Sequence, residues 1–206
     1  MELRHGLTVA VIAFFALVPQ LAAAEKTDPA QAAKFIETLS GETLTVLQAG
    51  DSTLEQREAH VREILARSFD LQTIGRFVLG KAWNRASPEQ RQEYQAVFAE
   101  FILRTYSRRL GGYAGEEFKI VEAKPLGKRD AVVITEISRP SGPPLEAGWR
   151  IRSGNNGLRI LDLIVEGVSL AVTQRSEFQT VVNSQGVDGL IESLRLKLDK
   201  FSARQS

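Results

Sequence analysis

Ser169 stands in Gly167-Val-Ser-Leu-Ala171, between an apolar run, Leu158–Val165, and a helical pattern. A strand, a G-x-S-x-A turn and a helix come one residue short of the nucleophile elbow, in which a strained turn presents a serine hydroxyl for acyl transfer. That chemistry needs a base to take the hydroxyl proton and a third group to orient the base. The sequence holds two histidines, His5 and His60. His5 falls in an N-terminal segment that reads as a leader. His60 lies off the Leu54, Val61, Ile64, Leu65 stripe of its helix, where a solvated histidine is the simpler reading. No HGGG-type segment supplies oxyanion donors. Ser169 is therefore expected to cap the following helix, and Gly167 to permit a sharp bend before it.

Other chemistry finds less support. With no cysteine there is neither a disulfide nor a thiolate ligand. No histidine pair, H-E-x-x-H or EF-hand loop suggests a metal, and the glycine-rich stretches Gly111-Gly112 and Gly154–Gly157 fit neither G-x-G-x-x-G nor a P-loop. Asp162 and Glu166 have the side chains for acid/base work in an apolar pocket. Alternation along the strand favours Asp162 pointing outward, and Glu166 is expected to be solvated at a strand end. A formal net charge of +1 lacks the basic surface that nucleic acid requires.

The elements that must position these residues follow from periodicity. Asp28-Pro29 starts a helix carrying Ala32, Phe35, Ile36, Leu39, Val46 and Leu47. Ser52-Thr-Leu-Glu55 reads as a capping box for the next. Asp70 caps a third helix, which Gly80 ends. Ser87-Pro-Glu-Gln90 opens a long helix striped by Tyr94, Val97, Phe98, Phe101, Ile102 and Leu110 and stopped at Gly111-Gly112. The period then changes to two over Phe118–Ala123, Ala131–Ser138, Leu145–Ser153 and Leu158–Val165. Ser141–Pro144 and Asn155-Asn-Gly157 make the turns, so the strands pair antiparallel. Two helices close the chain, one with Phe178, Val181 and Val182, the other over Asp188–Phe201. The expectation is an α+β domain with helices packed on a curved four-stranded antiparallel sheet. The strands are apolar on both alternating sets, so both faces are covered or one borders an apolar cavity.

Residues 1–24 read as a secretory signal peptide: a short basic n-region, an apolar run from Leu7 to Val18, and Ala22-Ala-Ala24 before Glu25. The run is too short for a membrane span of roughly 20 residues. Residues 25–206 then form a single domain.

Two groups of residues carry a family resemblance. Gly167-Val-Ser-Leu170, Arg175-Ser-Glu-Phe178, Gly186 and Asp188-Gly-Leu-Ile-Glu-Ser-Leu194 resemble the C-terminal signature of the MlaC family, periplasmic lipid-binding proteins also called the toluene-tolerance family. Phe69-Asp70, then Phe77-Val-Leu-Gly-Lys-Ala-Trp83, and Ser87–Tyr94 through Phe98, Phe101 and Tyr106 resemble the family's upstream segments. The likeness spans roughly Phe35–Leu198. Gln174 stands where members often carry tyrosine, and Thr173-Gln-Arg175 is similar to the hopanoid-associated branch, HpnM.

The resemblance implies a periplasmic carrier that holds phospholipid tails in a deep cavity between helices and sheet. It would shuttle lipid between an outer-membrane lipoprotein complex and an inner-membrane ABC lipid transporter, maintaining outer-membrane lipid asymmetry, as a monomer without cofactor or catalysis. In the HpnM branch the cargo would be hopanoid-associated. Candidate lipid-binding residues are Phe77, Trp83, Phe98, Phe101, Ile102, Tyr106, Trp149, Val165 and Val168, with Arg175 at the headgroup. A lipid-modifying enzyme on the same fold and an envelope adaptor with a filled core are the rival readings.

Overall fold

In the computed structural model, residues 26–111, 115–138 and 142–203 are described. The expected leader, Gly112 and Ser141 lie outside them. Six helices and five strands follow in the order α1 (Pro29–Leu47), α2 (Leu54–Ser68), α3 (Leu71–Leu79), α4 (Lys81–Arg85), α5 (Pro88–Gly111), β1 (Glu117–Leu126), β2 (Asp130–Ser138), β3 (Leu145–Gly154), β4 (Gly157–Val165), β5 (Val168–Ser169) and α6 (Leu170–Ser202). The strands form one open antiparallel meander in sequence order.

The helix starts follow their capping residues. Asp28 accepts from Ala30 N at 3.1 Å, and Asp70 accepts from Thr73 N at 2.9 Å. Ser87 and Gln90 exchange both bonds of a capping box, at 3.0 and 3.1 Å. The box at α2 is formed by Thr53 and Gln56, one residue beyond the expected pair. Ser52 N is still held by Ala49 O in the preceding turn, so the extended N-cap conformation falls on Thr53. The two expected C-terminal helices run as α6, bent at Gly186, whose φ of 73° and ψ of −173° are non-helical.

The sheet carries a fifth strand beyond the four that the periodicity predicts. Glu166 and Gly167, at φ 49° and 77°, make a two-residue turn that pairs Val165 with Val168. Positive φ at both positions is the primed geometry that matches strand twist. Glu166 is exposed, as expected, and its Oε1 accepts from Glu146 N at 2.7 Å.

Two apolar cores result. One joins α3–α6: Tyr94 and Phe98 stack at 5.5 Å, and Phe178 meets their edges at 6.5 and 6.2 Å. Each fully buried ring contributes about 2–3 kcal/mol. Gly75 lets α3 and α5 approach, because a Cβ there would come within 2.5 Å of Gln95 Oε1 and 2.9 Å of Phe98. The other core joins α1 to the sheet through Ala32, Ile36, Val133, Ile151 and Ile160. Thr27 fixes the start of α1 by donating to Arg129 O at 2.7 Å and accepting from Ser153 N at 2.8 Å. Asp70 N donates to Ile160 O at 3.0 Å and ties the α2–α3 junction to β4.

Candidate functional site

Between the two cores lies an apolar cavity with two adjoining lobes of about 320 and 440 Å³. The smaller is walled by α1, α2 and the starts of β1 and β3, with Ile36, Leu44, Ile64 and Phe118. The larger is walled by α3, α5, β4 and the start of α6, with Ile74, Val78, Leu163 and Leu170. Leu65, Phe69, Arg109, Leu110, Leu145 and Trp149 border both. The sheet face that carries Trp149 thus borders the cavity. On the opposite face, a Cβ on Gly148 would touch Val132, Ile134 and Ile164.

Trp149 is fixed on the shared wall. Its Nε1 donates to Thr135 Oγ1 at 2.9 Å, and that hydroxyl donates to Ala147 O at 3.0 Å. Its polar edge is satisfied inside the sheet, and its ring, 6.1 Å from that of Phe118, is left as apolar wall.

Few polar groups reach the larger lobe. Asp162 is half-buried on its wall rather than outward as alternation predicts. A bulge at Leu161 shifts the register there, and the edge position lets the carboxylate turn to the head of α6. Asp162 Oδ2 accepts from Ser169 Oγ at 2.5 Å, and Oδ1 accepts from Ala171 N at 3.0 Å. Ser169 in turn accepts from Val172 N at 3.1 Å, the capping role expected of it. His60 is exposed on α2, and among the described residues no hydrogen bond joins it to Ser169 or Asp162. Burial pushes the Tyr106 phenol above its ordinary pKa; Arg109 opposes the shift, and Glu177 and Asp162 add to it. Tyr106 therefore stays neutral at physiological pH. Among the described residues no group of three or more His, Asp or Glu is placed to hold a metal.

Of the residues assigned to the wall from sequence, Phe98, Ile102, Tyr106, Trp149 and Val165 border the larger lobe. Four stand elsewhere. Phe77 is 41 % exposed, one position off the inward pair Ile74 and Val78 of α3. Trp83 packs on the helical core, with Arg76 and Arg91 stacked on it at 5.9 and 5.6 Å. Phe101 is buried against Phe178, 6.3 Å away, because its turn of α5 faces α6 rather than the cavity. Val168 is 55 % exposed on the sheet edge. Arg175 is not at the cavity either. Its guanidinium lies over Phe77 at 5.0 Å and covers Gly80, where a Cβ would meet it at 3.1 Å. The sequence reading missed the contribution of α1 and α2, whose stripes read equally well as core, and the cation Arg109.

A half-open sheet wrapped by helices around an apolar chamber, with Asp162 and Trp149 Nε1 on its wall committed to capping and sheet bonds, is the architecture of a container for an apolar molecule. The chain belongs to the MlaC family: the family profile described as MlaC protein matches residues 23–196. It is 27 % identical over 157 residues to the intermembrane phospholipid transport system binding protein MlaC of Haemophilus influenzae, covering 72 % of this chain and 73 % of that protein. Its fold is shared with a phospholipid-binding protein from Ralstonia solanacearum, solved in complex with a phospholipid. The TM-score is 0.73 at 21 % identity, over 83 % of this chain and 98 % of the other.

Proposed function

We propose that this protein is a carrier that takes a phospholipid into the two-lobed cavity and moves it between membranes. The observation that carries this reading is the cavity itself, apolar on nearly every side and walled by side chains of both cores. The need for such a chamber is energetic. A two-chain lipid has about 30 methylenes, each worth roughly 0.8 kcal/mol on leaving water, so bare transit across an aqueous gap costs more than about 20 kcal/mol. The names of the Haemophilus relative and of the Ralstonia neighbour support phospholipid as cargo.

The finer reading places the protein in the periplasm, delivered by the signal peptide at residues 1–24 and working as the single domain 25–206. It is the monomeric shuttle of an ABC-type system, exchanging lipid with an inner-membrane transporter and an outer-membrane lipoprotein complex. It leaves its cargo chemically unchanged. Ser169 and Asp162 serve the strand–helix junction, and Phe98, Ile102, Tyr106, Trp149 and Val165 form the lipid-binding wall. The test is transfer between vesicles. The protein should move fluorescent phosphatidylcholine from donor to acceptor vesicles in proportion to its concentration, and thin-layer chromatography should recover intact lipid. Lysolipid and free fatty acid appearing in step with protein would overturn the reading in favour of an enzyme.

A further inference from the structure

We infer that Arg109 is the phosphate anchor of the cavity, a cation at the junction of the two lobes that pairs with the phosphodiester of a lipid whose chains enter them. The inference rests on the carrier reading and adds the residue that receives the headgroup phosphate. Six side chains border both lobes, and of these Arg109 alone is charged. It is exposed, as is Leu110 beside it, so the junction lies at an opening to water. A lipid entering there leaves its headgroup at this place.

The neighbouring cations of α5 are engaged elsewhere. Arg104 pairs with Glu100 and bonds Ser202 Oγ at 2.9 Å, and Arg108 stacks on Phe201 at 5.3 Å. Arg109 turns the other way and lies over the Tyr106 ring at 5.6 Å. Among the described residues no carboxylate stands within ion-pair distance of it. A guanidinium plane resting on an aromatic face keeps its N–H edges free. Two parallel N–H groups match two phosphate oxygens, which an ammonium cannot do. Arg109 therefore favours a lipid that carries a phosphate over a neutral lipid without one.

The test compares two lipids with the same chains. Purified protein is exchanged against excess phosphatidylcholine vesicles carrying a trace of labelled dioleoylphosphatidylcholine or labelled dioleoylglycerol, then re-isolated and counted. Wild type should take up the phospholipid about tenfold better than the diacylglycerol, as expected for a charge-assisted pair partly exposed to water. In R109Q that preference should fall about five- to tenfold, the diacylglycerol count rising because the phosphatidylcholine that competes with it is held less tightly. The preference of the wild type should also shrink as salt rises from about 0.01 M to about 1 M, where the screening length falls to about 3 Å. An unchanged preference in R109Q, or a wild-type preference indifferent to salt, would overturn the anchor. Inorganic phosphate at about 10 mM should not displace the lipid, because the chains supply most of the affinity. Displacement would mark a free-phosphate site and overturn it as well. Equal uptake of both lipids by wild type leaves the carrier and removes the anchor, whereas uptake of neither removes both.

Discussion

Ser169 Oγ donates to Asp162 Oδ2 at 2.5 Å, and this pair closes the junction between β4 and α6. The hydroxyl proton is committed to the carboxylate, and the serine oxygen also receives Val172 N at 3.1 Å. A serine and a carboxylate stand together here without the imidazole that would turn them into a nucleophile and its relay. Ser169→Ala should cost about 1–2 kcal/mol, the sum of a lost cap and a lost charge-assisted bond. Urea denaturation measures that loss. Lipid content should be unchanged in the folded protein, and esterase turnover that vanishes with the serine would contradict the assignment.

Asp130 is the buried anion of the sheet, held by Arg150 and Arg152 at 2.6 Å each. Burial alone would raise its pKa, but hydrogen bonds from Arg152 and Arg150 and their charges more than offset this and hold it below the usual carboxylate value. A lowered folded-state pKa stabilises above the unfolded pKa, about 3.9, and that stability is lost as pH falls through the folded value. Asp130→Asn should therefore destabilise by about 2 kcal/mol at pH 7, and the gap to wild type should close below about pH 4. Urea midpoints at the two pH values decide it; a gap that persists in acid would show that the charge of Asp130 contributes nothing.

Phe101 and Ile102 are adjacent on α5 but face different things, the helical core and the larger lobe. Phe101→Ala should destabilise by about 3 kcal/mol through the cavity it leaves in the core, with loading of the folded fraction preserved. Ile102→Trp should leave the urea midpoint nearly unchanged, since its bulk enters open space, and lower lipid loading several-fold. Exchanged outcomes would mean that the cavity wall has been misplaced.

His60→Ala should change stability by about 0.5 kcal/mol or less, as an exposed side chain without a special contact. A large loss of lipid transfer with the fold intact would give His60 a role that its position does not suggest.

The order and type of the elements were legible because caps and periodicity are local. Asp28, Asp70 and Ser87 start their helices as read, and Gly186 divides α6 where the two C-terminal patterns meet. The two-residue β5 was not, since a strand that short has no period to detect. The cavity was legible only as a class of feature. Periodicity tells which face of a helix is apolar but not whether that face meets side chains or empty space, so Phe101 reads like Ile102 and the α1 stripe reads as core. Phe77 adjoins the α3 stripe but is rotated out under Arg175, a contact between residues 98 positions apart in the sequence. Arg109 carried no signal either: a cation in the last turn of a helix is common, and only its position between two lobes sets it apart.

Protein purified without detergent from a Gram-negative envelope, then extracted with solvent and analysed by mass spectrometry, tests the central claim most directly. Hydrocarbon burial on the order of 20 kcal/mol makes release into water slow, so endogenous lipid should survive purification. The account predicts intact diacyl glycerophospholipid in an amount approaching that of the protein; a predominance of hopanoid would move the protein to the branch that Thr173-Gln-Arg175 resembles. No extractable lipid, together with no uptake from donor vesicles, would contradict the carrier.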